Sequence, residues 1–355
     1  MRKLRVAILF GGRSAEHEVS LMSARNVLLA LDPERHDPVL IGIDRAGRWA
    51  LQPAELLLGP GRADHVAVRD ETAILVPPHA GPSDLDIDVV FPVLHGPMGE
   101  DGTVQGLLEL ANIPYVGAGV LGSAVGMDKD VMKRLLRDAG LPVVPFVAIR
   151  RWEYERAPQE LAARCGELGF PLFTKPANLG SSVGVRRVAS AGELDEALRF
   201  AFQFDTKVLA EAAMIGREIE CSVLGYTSPI ASVPGEIVVR HADGFYSYDA
   251  KYIDETGAVL DIPARLDAAI ADEVRRLAVR AFEVLECQGL ARVDFFLRGS
   301  ELAINEINTL PGFTAISMYP KLWEASGIPA RELVQRLIDL AFERHRDRAA
   351  LRTSP

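Results

Sequence analysis

Short apolar runs alternate with helix-period segments through the first third of the chain, and no other feature narrows the possible folds as much. Val6 to Phe10, Pro38 to Ile43 and Asp88 to Leu94 read as strands, and Val19 to Leu31 and Val104 to Ala111 as helices. Strands separated by helices cannot pair as tight hairpins. The pattern therefore predicts a parallel sheet with helices laid over it.

From about Leu121 the pattern changes. An amphipathic helix runs through Leu136, followed by a strand from Val143 to Ile149, a helix from Pro158 to Leu168 and a strand from Leu172 to Lys175. A Gly- and Ser-rich segment, Ala177 to Gly184, leads to a further strand and a helix from Glu193 to Phe202. The last third opens with strands Glu218 to Tyr226 and Ile230 to Val239, then a polar loop from His241 to Asp261. A helix from Leu266 to Glu286, strands Leu290 to Leu297 and Leu302 to Ile307, a Pro/Gly turn and a closing helix from Val334 to Arg344 complete it. No internal repeat or low-complexity tract interrupts this order. The economical reading is three lobes around a cleft, covering 1–117, 118–210 and 211–355.

With 355 residues and 48% hydrophobic content, the chain can bury a sizeable core. Its net charge of -10 offers no surplus of cations for a nucleic-acid backbone, so a small-molecule partner is expected. Cys165, Cys221 and Cys287 are odd in number and widely spaced. That argues against a disulfide framework and for reduced thiols in the cytoplasm. Leu4 to Phe10 ends at Gly11-Gly12, too short for a signal peptide. The uncharged stretch Leu110 to Met127 contains Pro114 and four glycines, so it reads as strand, turn and helix start, not as a membrane span.

Several segments carry potential chemistry. Gly11 to Ser20 follows a strand and opens a helix, where backbone N–H groups can meet an anion. Equally, Ser14 can cap that helix while Glu16 and Glu18 favour its dipole, or one of these carboxylates can take a substrate ammonium. His95 to Gly102 holds three glycines after a strand, letting backbone approach a ligand closely, although Glu100-Asp101-Gly102 also suits a helix cap. Lys129 lies in the same lobe as Lys175, which ends a strand just before the loop Asn178 to Gly184, a combination suited to triphosphate; a plain surface hairpin is the alternative. The loop has no GK[ST], so it is not a Walker loop, and Gly11 to Ser20 is not the GxGxxG of a dinucleotide site.

The most specific constellation is Arg292-Val293-Asp294 followed by Glu306-Ile307-Asn308. Side chains alternate along a strand, so Arg292, Asp294, Glu306 and Asn308 can share one face of a hairpin-like pair. Two carboxylates and an amide oxygen form a hard, all-oxygen donor set suited to Mg²⁺ and lacking zinc's usual ligands. Phe295, Phe296, Ile304 and Ile307 make these strands look buried, where carboxylates are costly without a cation.

Taken in order, GGRSAEHEVS, HGPMGEDGTVQG, MDK, KPANLGSSVG, FYSYDAKY, ARVDFF and NEINTLPGFT resemble the signatures of the D-alanine–D-alanine ligase family along nearly the whole chain. The resemblance implies an α/β, three-domain ATP-grasp fold, with an N-terminal parallel α/β domain and two α+β lobes sandwiching ATP. It implies that Lys129 and Lys175 hold the α- and β-phosphates and that Ser182 closes over the γ-phosphate. Glu211, Ala212, Ala213 and Met214 would line the adenine slot, Glu218 would take the ribose, and Lys251 and Asn305 would add nucleotide contacts. Asp294, Glu306 and Asn308 would ligate two Mg²⁺ or Mn²⁺ ions, Glu306 also facing ATP. Glu16, tied to Ser181 and Tyr252, would bind the first D-alanine's ammonium beside His95. Arg292 and the Gly312 amide would stabilise the oxyanion, and Lys251, Ser317 and Met318 would receive the second substrate.

The activity so implied is ligation of two D-alanines through a D-alanyl phosphate, giving ADP and phosphate, for peptidoglycan precursors. A cytoplasmic homodimer is expected on the same basis. A sibling ligase accepting D-lactate or D-serine, or a noncatalytic ATP-binding module of the same fold, are the alternatives. Ala212-Ala213 stands where many relatives carry larger residues.

Overall fold

A computed structural model describes residues 2–59, 73–74, 86–239 and 258–352. Three sheets organise it. The first contains β1 (Leu4–Gly11), β2 (His36–Ile43), β3 (Trp49–Leu51), β4 (Ala73–Ile74) and β5 (Val89–Pro92), in the order β4-β3-β2-β1-β5. β1 runs parallel to β2 and β5, as the helix-separated runs require, whereas β3 and β4 extend the edge in antiparallel fashion. β1 is buried from Val6 through Gly11, the continuous apolar run expected of a parallel strand covered on both faces.

The second sheet is antiparallel: β6 (Phe146–Arg150), β7 (Leu172–Pro176), β8 (Arg186–Val188) and β9 (Lys207–Ala212), ordered β6-β9-β7-β8. The third comprises β10 (Arg217–Gly225), β11 (Ile230–Ala231), β12 (Gly235–Val239), β13 (Ala258–Asp261), β14 (Gly289–Arg298) and β15 (Glu301–Asn308). Its order is β13-β12-β10-β14-β15, with β11 paired to β10. Helices Lys129–Asp138 and Ala268–Val284 pack on it through Met132, Leu136, Leu277 and Phe282.

The structure departs from the sequence pattern at several places, among them the unannounced helix Arg151–Arg156 and the strand Lys207–Ala212. The helix expected through Leu136 is two helices, Val120–Met127 and Lys129–Asp138. Asp128 separates them in extended conformation and accepts a hydrogen bond from the Val131 N–H at 3.0 Å, so it caps the second helix. The run from Ile230 to Val239 is split around Pro234, which has no N–H to give a ladder. The turn after β15 contains a helix, Met318–Ala325, that its Pro-bearing sequence did not announce.

The largest apolar cluster joins the two ends of the chain. Val6, Ile8 and Phe10 pack with Phe313, Tyr319 and Trp323, and with Leu333, Leu337 and Ile338 of the final helix, Ala330–Ala349. Arg344 of that helix donates to the carbonyls of Tyr115, at 2.8 Å, and Gly117, with its guanidinium 4.1 Å over the Tyr115 ring. The turn after β15 is thereby held against the first sheet.

Candidate active site

A cleft of about 1190 Å³, counting the solvent in its mouth, opens between the second and third sheets. One wall comes from β7, β9 and the loop after β7, the other from β10, β14 and β15.

Lys129, Lys175, Ser181, Ser182, Glu211, Ala212, Met214, Glu218, Asp294, Asn305 and Glu306 all line it. Lys129 begins its helix behind the Asp128 cap. Its Nζ donates to the Leu179 carbonyl at 2.8 Å and lies 3.2 Å from Glu306 Oε2. Burial pushes its pKa down, but the carboxylates of Glu306, Glu211 and Glu100 outweigh burial and hold it above the ordinary lysine value. Lys175, at the end of β7, pairs with Glu211 and donates to Asn305 Oδ1 at 3.3 Å. Glu211 also meets Lys133 at 3.0 Å. Burial would raise the pKa of Glu211, yet the two ammoniums keep it below the usual carboxylate range.

On the facing strands, antiparallel register pairs Asp294 with Glu306 and Arg292 with Asn308. Arg292 grips Asp294 through two 2.7 Å bonds and reaches Glu220 at 2.8 Å, while Asn308 donates to Asp294 at 3.0 Å. Burial opposes the charge of Arg292, but Asp294 and Glu220 overcome it and hold its pKa well above the usual value. Among the described residues no three His, Cys, Asp or Glu side chains cluster as a metal site. Two carboxylates and one amide on facing strands nevertheless form an all-oxygen set compatible with a hard cation.

The loop after β7 reaches the first sheet. Ser181 and Ser182 both have left-handed backbone, with φ of 53° and 60°, a conformation that costs non-glycine residues energy and concentrates at ligand-handling loops. Ser181 donates its hydroxyl to Glu16, at the start of helix His17–Ala30. A Cβ on Gly180 would lie 3.5 Å from Glu16 Oε2, so the loop backbone passes close over this carboxylate. Lys251 and Tyr252 lie outside the described residues.

Other expected residues occupy the junction between the chain ends. His95 is buried, with Nδ1 3.1 Å from the Leu310 carbonyl and Nε2 3.2 Å from Ser23 Oγ. Burial holds its pKa below the ordinary histidine value. The imidazole is therefore neutral at pH 7, donating from Nδ1 to Leu310. Gly312 lies in the same turn, where a Cβ would come within 2.9 Å of Ser317 Oγ. Ser317 accepts from the Thr314 N–H at 3.0 Å, while Met318 points into a small apolar cluster with Ile237 and Leu322. The N–H groups of Ala212 and Ala213 donate to Pro145 and Pro171 carbonyls, at 3.0 and 3.2 Å, so they are engaged within the fold.

Residues 5–118 match the D-ala D-ala ligase N-terminus, and residues 135–339 the D-ala D-ala ligase C-terminus. The chain belongs to the D-alanine–D-alanine ligase family. D-alanine–D-alanine ligase A of Chromobacterium violaceum is 53% identical, with 100% of this chain and 99% of that protein covered. The solved D-alanine–D-alanine ligase of Coxiella burnetii superposes with a TM-score of 0.83 at 38% identity, covering 98% of this chain and 97% of that one. VanG D-Ala:D-Ser ligase of Enterococcus faecalis superposes with a TM-score of 0.84 at 36% identity, covering 96% and 100%. The fold is that of the ATP-grasp ligases, and the D-alanine–D-alanine ligase family uses ATP and divalent metal ions.

Three charged residues in or beside the cleft had no site role in the sequence reading. Lys133 lies four positions after Lys129, hence on the same helix face. Glu220 lies two positions after Glu218 on β10, the spacing that returns a side chain to one face. Glu100 was read as a helix cap, but it is buried and accepts from the Gly96 N–H at 2.8 Å. Burial, reinforced by the charge of Glu16, pushes its pKa up to about 8.

Proposed function

We propose that this chain joins two D-alanines in an ATP-dependent, ADP-forming reaction through a D-alanyl phosphate, supplying the dipeptide for peptidoglycan. The observation that carries this reading is the contact of Ser181 with Glu16, which brings the serine loop of the nucleotide cleft onto the ammonium-type site of the first sheet. In this reading a phosphate donor and a carboxylate acceptor would lie side by side.

A carboxylate is a poor electrophile, and phosphorylation converts it into one. A carboxylate oxygen of the first D-alanine attacks the γ-phosphorus of ATP, the bond to the bridging oxygen breaks, and ADP leaves. Lys129 and Lys175 neutralise the phosphates, Ser182 closes over the γ-phosphate, and Glu211 with Met214 receives the adenine. Glu218 takes the ribose hydroxyls, with Asn305 beside the phosphates. Asp294, Glu306 and Asn308 would hold Mg²⁺ or Mn²⁺, as one or two ions, which supplies charge neutralisation for the transferring group.

Glu16, bonded to Ser181, anchors the first ammonium with His95 beside it, and by resemblance Tyr252 would act with them. The second D-alanine, its carboxylate taken by Lys251 and Ser317, attacks the acyl phosphate through its free amine. The tetrahedral oxyanion is met by Arg292 and the Gly312 N–H, before the carbon–oxygen bond to phosphate breaks. One such donor contributes about 3–4 kcal/mol in comparable acyl transfers. Closure of the 177–184 segment would exclude water, which otherwise hydrolyses the intermediate. The nucleotide lies between the 118–210 and 211–355 units, with 1–117 binding the first substrate.

D-Alanine is the preferred acceptor in this reading, because full-length relatives at 50 to 53% identity are named D-alanine–D-alanine ligase. The test is phosphate release with ATP, Mg²⁺ and a panel of D-alanine, L-alanine, D-serine and D-lactate. Release with D-alanine alone, accompanied by the dipeptide, supports it. Nucleotide binding without release with any partner would leave a noncatalytic module.

A further inference from the structure

Glu211 is shared by two ammoniums that sit in different surroundings. Lys175 lines the cleft, its side chain 11% exposed, whereas Lys133 is 0% exposed and approaches the same carboxylate from inside the fold. The two cations meet different oxygens, Lys175 at Oε2 and Lys133 at Oε1. Apart from this ion pair, neither Lys133 Nζ nor Glu211 Oε1 has a hydrogen-bond partner among the described residues.

We infer that Lys133 is the resident counter-cation of Glu211, a positioning residue that keeps this carboxylate neutralised while Lys175 exchanges it for the phosphates of an incoming nucleotide. The inference rests on the nucleotide reading of the cleft. Phosphate oxygens compete with Glu211 for the single charge of the Lys175 ammonium. If Lys175 were the carboxylate's only cation, its departure would leave a buried unpaired charge, which is strongly unfavourable. With Lys133 in place, the buried anion stays paired before and after the exchange. Lys133 and Lys129 stand one turn apart on helix Lys129–Asp138, so a single rigid element carries both the counter-cation and a phosphate lysine.

A double-mutant cycle separates this role from simple packing. Lys133→Met retains the Lys175 pairing in the ligand-free protein, so its penalty should appear on nucleotide binding. ADP titrated calorimetrically into the full-length variant should bind at least about tenfold more weakly than into the parent, since the exchange now strands a buried charge. KM for ATP should rise in parallel, with KM for D-alanine nearly unchanged. In a Glu211→Gln background no buried anion remains, and adding Lys133→Met should alter ADP affinity by less than about twofold. This second comparison stands even if Lys133→Met alone does not fold. Equal losses in both backgrounds, or parallel increases in KM for ATP and D-alanine, would overturn the inference. A parent that binds neither ATP nor ADP would instead refute the nucleotide reading itself.

Discussion

Ser181 of the serine loop hydrogen-bonds Glu16, a residue 165 positions earlier in the chain. The bond joins the part of the cleft that would receive γ-phosphate to the part that would receive the first substrate. A hydroxyl donated to a carboxylate contributes about 1.5–3 kcal/mol. Ser181→Ala should therefore lower kcat/KM for the first D-alanine by roughly 10- to 150-fold. Initial rates at varied D-alanine concentration, with thermal midpoints confirming an intact fold, check this.

Glu306 faces Asp294 across the strand pair and lies 3.2 Å from Lys129. Glu306→Gln keeps the shape and removes the charge. Turnover should fall by about two or more orders of magnitude at saturating Mg²⁺, while the midpoint of urea unfolding moves little. Near-parental turnover would remove Glu306 from the proposed metal set.

Glu100 gives a pH signature. Its carboxyl is raised from 4.5 to about 8 in the folded protein, first by burial and then by the charge of Glu16. The folded state therefore holds this proton more tightly than the unfolded chain. Its contribution to stability is complete below pH 4.5, declines as pH rises, and is lost above about 8. Glu100→Gln should flatten that decline, by on the order of a few kcal/mol at most across the window. Unfolding free energies of parent and variant at pH 6 and 9 provide the check: the parent should lose more stability than the variant.

Arg344 donates to two backbone carbonyls, those of Tyr115 and Gly117, in bonds buried inside the fold. Arg344→Leu should destabilise the protein by about 2–4 kcal/mol, because buried acceptors are left without donors. Denaturant melts measure it. A loss under about 0.5 kcal/mol, the range of ordinary surface changes, would show that these contacts do not clamp the chain ends together.

Much of this architecture was legible in the residues themselves. The helix-separated apolar runs indicated the parallel pairing of β1 with β2 and β5, and alternation in RVD and EIN anticipated the pairing of Asp294 with Glu306. What the pattern hid was set by distant contacts. The break at Asp128 depends on one side chain capping the following helix, and hydrophobic periodicity continues across it. The packing of the first sheet against Tyr319 and Trp323 joins segments some three hundred residues apart, with no local sign in either. Lys133 looked like one more charge on an amphipathic helix, although burial places it behind Glu211. Met318 turns into the core beside Ile237 and Leu322, a placement set by the unanticipated helix that it begins.

The central claim, that ATP activates a D-alanine carboxylate as an acyl phosphate, is tested most directly by oxygen transfer. D-Alanine carrying oxygen-18 in its carboxylate is incubated with ATP, Mg²⁺ and the protein, and the released phosphate is examined by mass spectrometry. One labelled oxygen should pass to phosphate for each dipeptide formed, with ADP as the nucleotide product. Phosphate without the label, or AMP and pyrophosphate as products, would contradict the account.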